Sequence, residues 1–281
     1  MVKSSRGASI LQSGSYVLLA AGFLYVFEQN VGKIGATRLH YPSQKWKVNL
    51  KEVIPVLERF AADLAHSNRG ICNTTEVGSG WGAHSLCNPI KHGCIFYSFG
   101  ISSDYSFDSQ LAEMFECSGF AADPTVSHTS SLHPRVTFHQ IGAKMLHEPA
   151  QTKWFSTSMP SLMKWRGDKY VDILKMDCEG CEYSLAKDVL LEDPTFFHKI
   201  GQFAFEIHVS KVWIATIEEI YALGKLFELL YDAGLQLAHA SVGGCASYDE
   251  APGCLKELME IGIPCGQGKS CHNYLFGRKG I

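Results

Sequence analysis

Residues 170–182 read YVDILKMDCEGCE. In this stretch an apolar run reaches an acidic Asp-x-Glu-Gly corner, and a segment of helical character, Tyr183 to Leu191, follows it. Ligands of open α/β sheets bind outside the carboxyl ends of the strands. A strand that ends in two carboxylates and a glycine therefore places charge where such folds carry out their chemistry.

Short apolar runs alternate with helical stretches along the chain, which is the pattern of a parallel sheet with helical crossovers. The runs that predict strands are residues 94–99, 119–122, 135–141, 172–176, 203–209, 235–240 and 273–277. Apolar spacing also predicts helices over Val48–Ala65, which contains Pro55, and over Thr216–Ala233. We therefore predict an α/β fold built on a doubly wound, mostly parallel sheet.

The composition describes a globular chain with a large core, because 46% of the 281 residues are hydrophobic and 19% are charged. The formal net charge is -3, and lysines and arginines are scattered along the sequence. Nucleic-acid surfaces are instead basic and clustered. No nucleic-acid partner is therefore expected.

An uncharged run from Gly7 to Phe27 follows Lys3 and Arg6. Its length fits a signal-anchor, a cleaved signal peptide or a buried helix, and we favour the anchor, an N-terminal apolar helix that holds the protein to a membrane as a single-pass protein. The expected organisation is a signal-anchor or signal peptide, a connector with a helix, and the main domain, over residues 1–27, 28–69 and 70–281.

Two features favour the lumen of the secretory pathway for the main domain. Ten cysteines form an even set that an oxidising compartment would pair, and Asn73-Thr74-Thr75 is a glycosylation sequon. The basic residues after the apolar run favour the opposite orientation under the positive-inside rule; they are Lys33, Arg38, Lys45 and Lys47. The last four cysteines lack the paired C-x-x-C spacing of structural zinc sites.

Two glycine-containing segments compete for the turn that would hold a cofactor, Gly78–Gly82 and Gly100–Asp104. A good apolar strand, Cys94–Phe99, feeds only the second segment, as a cofactor loop requires. In such folds an acid about 20 residues further on accepts the ribose hydroxyls of a nucleoside, and Asp123 has this position. The alternative is that Asp123 only stabilises a turn before Pro124. The candidate cofactor-binding residues are Gly100, Ile101, Ser102, Asp104 and Asp123.

Four polar residues at the ends of two expected strands are the candidate catalytic groups: Asp177, Glu179, Glu206 and His208. Each pair is two residues apart, so its side chains project to one side of an extended chain. If the strands are neighbours, the groups converge and supply a general base or hold a divalent ion. We assign no metal. The alternative is a structural role, in which Glu179 caps the next helix and Glu206 and His208 make hydrogen bonds that stabilise the fold.

Cys178 and Cys181 form a C-x-x-C sequence inside the same corner. A dithiol redox centre is one interpretation, but the surrounding sequence lacks the context of such centres. Small buried residues or a local disulfide are the interpretation that we prefer.

Residues 172–182 resemble the D-x-L-K-x-D-x-E-G-x-E signature of FkbM-like S-adenosylmethionine-dependent methyltransferases. Residues 97–108, YSFGISSDYSFD, resemble the Y-S-F-G-I-x-x-D-x-S-F-D signature of a membrane-anchored branch of that family, and residues 122–124 match its x-F-D-P segment in part. The loop after Phe99 has one glycine where most methyltransferases have three. The resemblance implies a Rossmann-like methyltransferase fold, S-adenosyl-L-methionine as cofactor, and O-methylation of a small-molecule or glycan hydroxyl acceptor.

Two other functions compete with methyl transfer. A membrane-tethered binding module that keeps the fold without turnover would account for the single-glycine loop. A nicotinamide oxidoreductase would also use an acid such as Asp123, but its Gly-x-Gly-x-x-Gly turn is missing after Phe99.

Overall fold

A computed structural model describes the chain over residues 46–66, 70–127, 132–146, 154–210, 213–243, 255–265 and 268–279. The chain divides into two compact units, Met1–Lys47 and Val48–Ile281. The apolar helix expected over Gly7–Phe27 lies outside the described residues. Within the described ranges, no helix combines the length and the apolar character that a membrane crossing requires.

The second unit is built on a seven-stranded sheet. Its strands are β3 (Ile95–Phe99), β4 (Ser118–Ala122), β5 (Val136–His139), β8 (Val171–Met176), β9 (Ile200–His208), β10 (Leu235–Gly243) and β11 (Cys271–Arg278). They lie in the order β5-β4-β3-β8-β9-β11-β10; the first five are parallel, and β11 runs antiparallel to both β9 and β10. The predicted doubly wound, mostly parallel sheet is confirmed.

Within the described part of the chain, six α-helices accompany the sheet: α1 (Leu50–Leu64), α2 (Ser106–Met114), α3 (Met159–Arg166), α4 (Glu182–Glu192), α5 (Ile217–Asp232) and α6 (Lys256–Ile261). A capping box between Thr216 and Glu219 starts α5, as the sequence order of those residues favours. Helix α1 keeps Pro55 in its interior and packs on α5, where Phe60 stacks on Phe227 with ring centroids 3.8 Å apart. It lies in the same compact unit as the sheet.

A hairpin outside the central sheet covers part of one sheet face. Its strands are β1 (Asn73–Val77) and β2 (His84–Asn88), and a disulfide joins Cys72 to Cys87 across it. The backbone N–H of Cys87 donates to Gln202 Oε1 of β9 at 2.7 Å. Helix α2 packs on the same face, and a two-stranded sheet of β6 (Gly142–Ala143) and β7 (Ser156–Thr157) lies apart.

The order of the strands defines where a ligand would bind. Strand β3 pairs with β4 on one side and with β8 on the other, so the chain reverses its direction of travel across the sheet between β3 and β8. Open α/β sheets bind ligands in the crevice at this switch point, outside the carboxyl ends of the strands. The loops after Phe99 and Met176 border that crevice.

Candidate active site at the carboxyl edge of the sheet

The turn after β3 brings three strands together at Gly100. Gly100 has a φ of 75°, and its N–H donates to the carbonyl of Ala122 at 2.9 Å. A Cβ built on Gly100 would overlap the carbonyl oxygen of Asp177. Only glycine fits this position, because both the left-handed conformation and the close backbone approach exclude a side chain.

Asp123 follows β4 and is buried beside the first loop. Its Oδ2 accepts the N–H of Ser102 at 2.8 Å, and its Oδ1 accepts the N–H and the hydroxyl of Thr125 at 2.7 and 2.6 Å. Asp123 thus contacts the first loop through Ser102, and through Thr125 it also stabilises the turn before and after Pro124. Among the described residues Oδ2 accepts that single bond, and a carboxylate oxygen has two acceptor positions, which leaves room for one ribose hydroxyl.

Asp104 connects the two glycine-containing segments. Its Oδ2 accepts the N–H of Gly82 and its Oδ1 accepts the N–H of Ser106, both at 3.0 Å. Burial opposes ionisation of Asp104, but hydrogen bonds from Ser106 and Gly82 outweigh burial and lower the pKa of its carboxyl. The Gly78–Gly82 segment therefore lies against the first loop, as a neighbouring loop. Ile101 is buried in the core under the loop.

Asp177 and Glu206 come together at the carboxyl ends of neighbouring strands. Strands β8 and β9 are parallel, with Met176 paired to Phe205, so the following residues, Asp177 and Glu206, lie side by side. Burial, followed by the charge of Asp177, raises the pKa of Glu206 to about 7, while His208 acts in the opposite direction. The predicted convergence of these groups is what the structure shows.

His208 forms a buried pair with Glu182, the first residue of α4. Its Nδ1 lies 3.2 Å from Glu182 Oε1, and Glu182 Oε2 accepts the N–H of Gly180 at 3.0 Å. Burial opposes a charged imidazole, but the hydrogen bond and charge of Glu182 outweigh it and raise the pKa of His208 to about 9. His208 is therefore an imidazolium at neutral pH, and a charged donor suits it better than the role of general base.

Glu179 stands apart from the other three candidates. It is exposed, has a φ of 53°, and makes no hydrogen bond to the described residues. Helix α4 begins after Cys181 without a side-chain cap, so Glu179 does not cap that helix. Glu179 sits at the corner but is not joined to Glu206 or His208.

A buried charge cluster lies beneath the first loop and was not predicted from the sequence. Lys175 of β8 is buried, and its Nζ donates to the carbonyls of Gly100 at 3.0 Å and Phe99 at 3.4 Å. Burial raises the pKa of Asp108 to about 6, against the opposing charge of Lys175. A lysine between the apolar residues Leu174 and Met176 was the available signal, because a charged residue is buried only when it has partners.

Two further buried polar atoms at this edge were also missed. Burial, followed by the charge of Lys175, lowers the pKa of His84 well below its ordinary value, and His84 Nε2 lies 3.9 Å from Asp177 Oδ2. Asn273 of β11 is the register partner of Glu206. Within the described part of the chain, neither His84 Nε2 nor Asn273 Oδ1 has a hydrogen-bond partner.

Among the residues that the structure describes, two groups of side chains have ligand atoms within 4.8 Å of one another: Cys178, Cys181 and Glu182, and Glu206, His208 and Cys271. Cys178 and Cys181 form a local disulfide, one of the two interpretations that the sequence favoured, and Cys271 is also disulfide-bonded. Neither group presents the thiolate that transition metals prefer. We assign no metal to either.

The sheet and its edge together define a class of protein. Counted in chain order, the central strands lie as 3-2-1-4-5-7-6 with the seventh antiparallel, a glycine turn follows the first and an acid follows the second. This is the Rossmann-like fold of S-adenosylmethionine-dependent methyltransferases.

The family model described as "Methyltransferase domain" matches residues 68–212, which is just over half of the chain. The chain belongs to this methyltransferase-domain family. It is similar to the probable methyltransferase-like protein 24 of Rattus norvegicus, with 29% identity over 123 residues, 41% of this chain and 33% of that protein. The human protein of the same name is 29% identical over 135 residues, 45% of this chain and 35% of its own length. The chain spans about a third of the length of these relatives.

Solved structures with similar folds include two fibrillarins. A Methanococcus jannaschii fibrillarin pre-rRNA processing protein has 11% identity and a TM-score of 0.36, and covers 70% of this chain and 71% of that chain. Aeropyrum pernix fibrillarin, in complex with natively bound S-adenosyl-L-methionine, has 12% identity and a TM-score of 0.34, and covers 68% and 69%. The FkbM-like family and its membrane-anchored branch stay a prediction.

Proposed function

We propose that the protein is an S-adenosylmethionine-dependent methyltransferase that methylates a hydroxyl oxygen of a small molecule or glycan, with Glu206 as the general base. The observation that carries this proposal is the position and the pKa of Glu206. Its carboxyl group lies at the carboxyl edge of the sheet, with a pKa raised to about 7 by burial and Asp177. A general base is most effective when its pKa is near the working pH.

The first loop and Asp123 supply the groups that would hold the cofactor. The backbone of Gly100–Ser102 faces the crevice at the switch point, and Asp123 Oδ2 has room for one ribose hydroxyl beside the Ser102 N–H. When bound, S-adenosylmethionine supplies a methyl group activated by a sulfonium. The residues present therefore fit the cofactor that the family uses.

Proton removal from the acceptor is the chemical step that the protein's own residues perform. The carboxylate of Glu206 would accept the proton of the acceptor hydroxyl, which makes its oxygen a better nucleophile. A bound cofactor would supply the methyl group, with cleavage of its sulfur–methyl bond and release of S-adenosylhomocysteine. Asp177 increases the proton affinity of Glu206, whereas the His208 imidazolium decreases it. A carboxyl group with a pKa raised in this way can take up a proton near neutral pH in each turnover.

A catalytically inactive binding module of the same fold is the second candidate. The single glycine of the first loop favours it, and so do the bonds from Thr125 that already occupy Asp123 Oδ1. Binding of S-adenosylmethionine without transfer to any acceptor would support this candidate over the enzyme.

Three disulfides support our further proposal that the main domain works in an oxidising lumen, held to the membrane by the residues 1–27 segment. They join Cys72 to Cys87, Cys94 to Cys117 and Cys178 to Cys181. Asn73 is exposed at the start of β1, where a glycan could be added. Glycosidase treatment of the protein from cells should increase its gel mobility, and Asn73→Gln should remove the effect. Protease access to the domain in intact microsomes would contradict the proposal.

The test of the enzymatic function compares Glu206→Gln with Glu113→Gln, an exposed glutamate on α2. Transfer of labelled methyl groups from S-adenosylmethionine to a panel of polyols and sugars is measured, together with cofactor affinity by calorimetry. We expect Glu206→Gln to lower the rate by about 10²–10⁴-fold and to leave cofactor affinity unchanged, because a general base acts on the acceptor alone. The wild-type rate should rise as pH increases through 7. Full activity of Glu206→Gln would refute the assignment.

A further inference from the structure

The edge of the sheet carries a polar row that extends beyond the groups already discussed. Asp177 follows β8, Glu206 lies in β9, and Asn273 of β11 is directly opposite Glu206 in an antiparallel pair. Directly opposed residues share one face of a sheet, with Cβ atoms about 4.5–5.5 Å apart. The carboxyl group of Glu206 and the amide of Asn273 are therefore immediate neighbours.

Two buried polar atoms without partners flank this row. Asn273 Oδ1 lies at one end, and His84 Nε2 lies 3.9 Å from Asp177 at the other; in the described ranges neither atom has a hydrogen-bond partner. His84 is 3% exposed. Buried polar groups in folded proteins are nearly always paired, so each exception requires an explanation. Two exceptions beside one acidic pair indicate a ligand that completes the hydrogen bonds.

The chemistry of the row selects the ligand. Glu206 as a carboxylate and Asn273 Oδ1 both accept hydrogen bonds, so the ligand must present two donors at adjacent positions. Asp177 and the ionised form of Glu206 repel anions such as phosphates and carboxylates. A neutral molecule with hydroxyls on adjacent carbons satisfies both acceptors, whereas a single hydroxyl leaves one of them unpaired.

We propose that the acceptor is a vicinal diol, with the reacting hydroxyl at Glu206 and the neighbouring hydroxyl donating to Asn273 Oδ1. This inference rests on the proposed methyltransferase function and specifies its substrate class. Asn273 acts as a specificity-determining residue, because it orients the second hydroxyl and takes no proton. His84 Nε2 provides a further polar contact for a larger polyol.

The probes are trans-1,2-cyclohexanediol, 1,4-cyclohexanediol and cyclohexanol, which share one ring. Their affinities for the full-length protein saturated with S-adenosylhomocysteine are measured by ligand-observed NMR, and methyl transfer is measured with labelled S-adenosylmethionine. The 1,2-diol should bind at least about tenfold more tightly than the 1,4-diol, because a buried acceptor left unpaired costs about that much or more. Asn273→Leu should remove this preference, and Asn273→Asp, which keeps an acceptor oxygen, should retain it.

The matched control is Gln236→Leu, which makes the same kind of amide-to-leucine change in β10. Gln236 lies opposite Gly277 of β11, away from Asn273, so this variant should leave the preference unchanged. Equal affinities for the two diols, no detectable binding of the 1,2-diol, or a preference that survives Asn273→Leu would overturn the inference. Absence of S-adenosylhomocysteine binding would instead contradict the proposed function. If cyclohexanol were methylated as fast as the 1,2-diol is, the proposed methyltransferase function would stand and only the proposed vicinal-diol substrate class would be refuted.

Discussion

Replacement of Glu182 by glutamine should remove most of the loss of stability that the wild type shows as pH rises from 7.5 to 9.5. Glu182 is fully buried, and its charge keeps His208 protonated. The neutral amide preserves the shape of the side chain and one acceptor for the backbone N–H groups. It removes the attraction that offsets the burial of the imidazolium, so the pKa of His208 should fall to its ordinary value of about 6.5 or below.

The magnitude follows from the proton linkage of His208. A raised histidine pKa gives stability that is fully present below about pH 6.5 and is lost as pH rises through about 9. At about 1.36 kcal/mol for each tenfold change in proton affinity, about 2 kcal/mol of this stabilisation remains at pH 7.5 and almost none at pH 9.5. Glu206 also has a raised pKa, but its loss of stability falls between about pH 4.5 and 7, below this window.

The assay is chemical unfolding of the wild type, Glu182→Gln and the exposed control Glu113→Gln at the two pH values. Wild type and control should each lose about 2 kcal/mol of unfolding free energy between pH 7.5 and 9.5, and Glu182→Gln should lose little. The imidazole resonance of His208, assigned with His208→Gln, should titrate near pH 9 in the wild type. Titration of His208 near 6.5 in the wild type, or the same pH dependence in all three proteins, would refute the reasoning.

Two other substitutions test the cofactor side of the site. Asp123→Ala should weaken S-adenosylmethionine binding by about tenfold or more, since a hydrogen bond to a charged group contributes about 1.5–3 kcal/mol, and unchanged affinity in calorimetry would leave Asp123 as a turn residue only. Gly100→Ala should lower the unfolding midpoint in denaturant and abolish cofactor binding, because its Cβ would overlap the Asp177 carbonyl oxygen; a stable variant that binds normally would show that the loop adapts.

The central sheet could be predicted from sequence because its strands are buried on both faces. Such strands appear as continuous apolar runs, as in β9, where every residue except Glu206 is buried. The hairpin of β1 and β2 gives no such signal, because β1 is largely exposed. A disulfide between Cys72 and Cys87 links the two arms of this hairpin. No strand was therefore predicted before residue 94, and the hairpin was missed.

The convergence of Asp177 and Glu206 could also be predicted, because both follow from strand ends and parallel order. The charge of His208 could not, since it depends on Glu182 being buried in the first turn of α4. Asn273 lies opposite Glu206 only because β11 runs antiparallel with one particular register, which no local pattern specifies. The membrane helix, the cofactor contacts and the acceptor stay predictions.

The antiparallel pair β10–β11 also protects the rest of the sheet. Strand β9 pairs with β11 from Gln202 to His208. Strands β10 and β11 both lie beyond residue 212, where the family match ends. Without that pair, β9 would become an edge strand with unpaired backbone groups and apolar side chains on both faces. Exposed strands of this kind recruit other chains and aggregate. The matched methyltransferase segment is therefore not a unit that can be cut out at its own boundary, because the last quarter of the chain covers its edge strand.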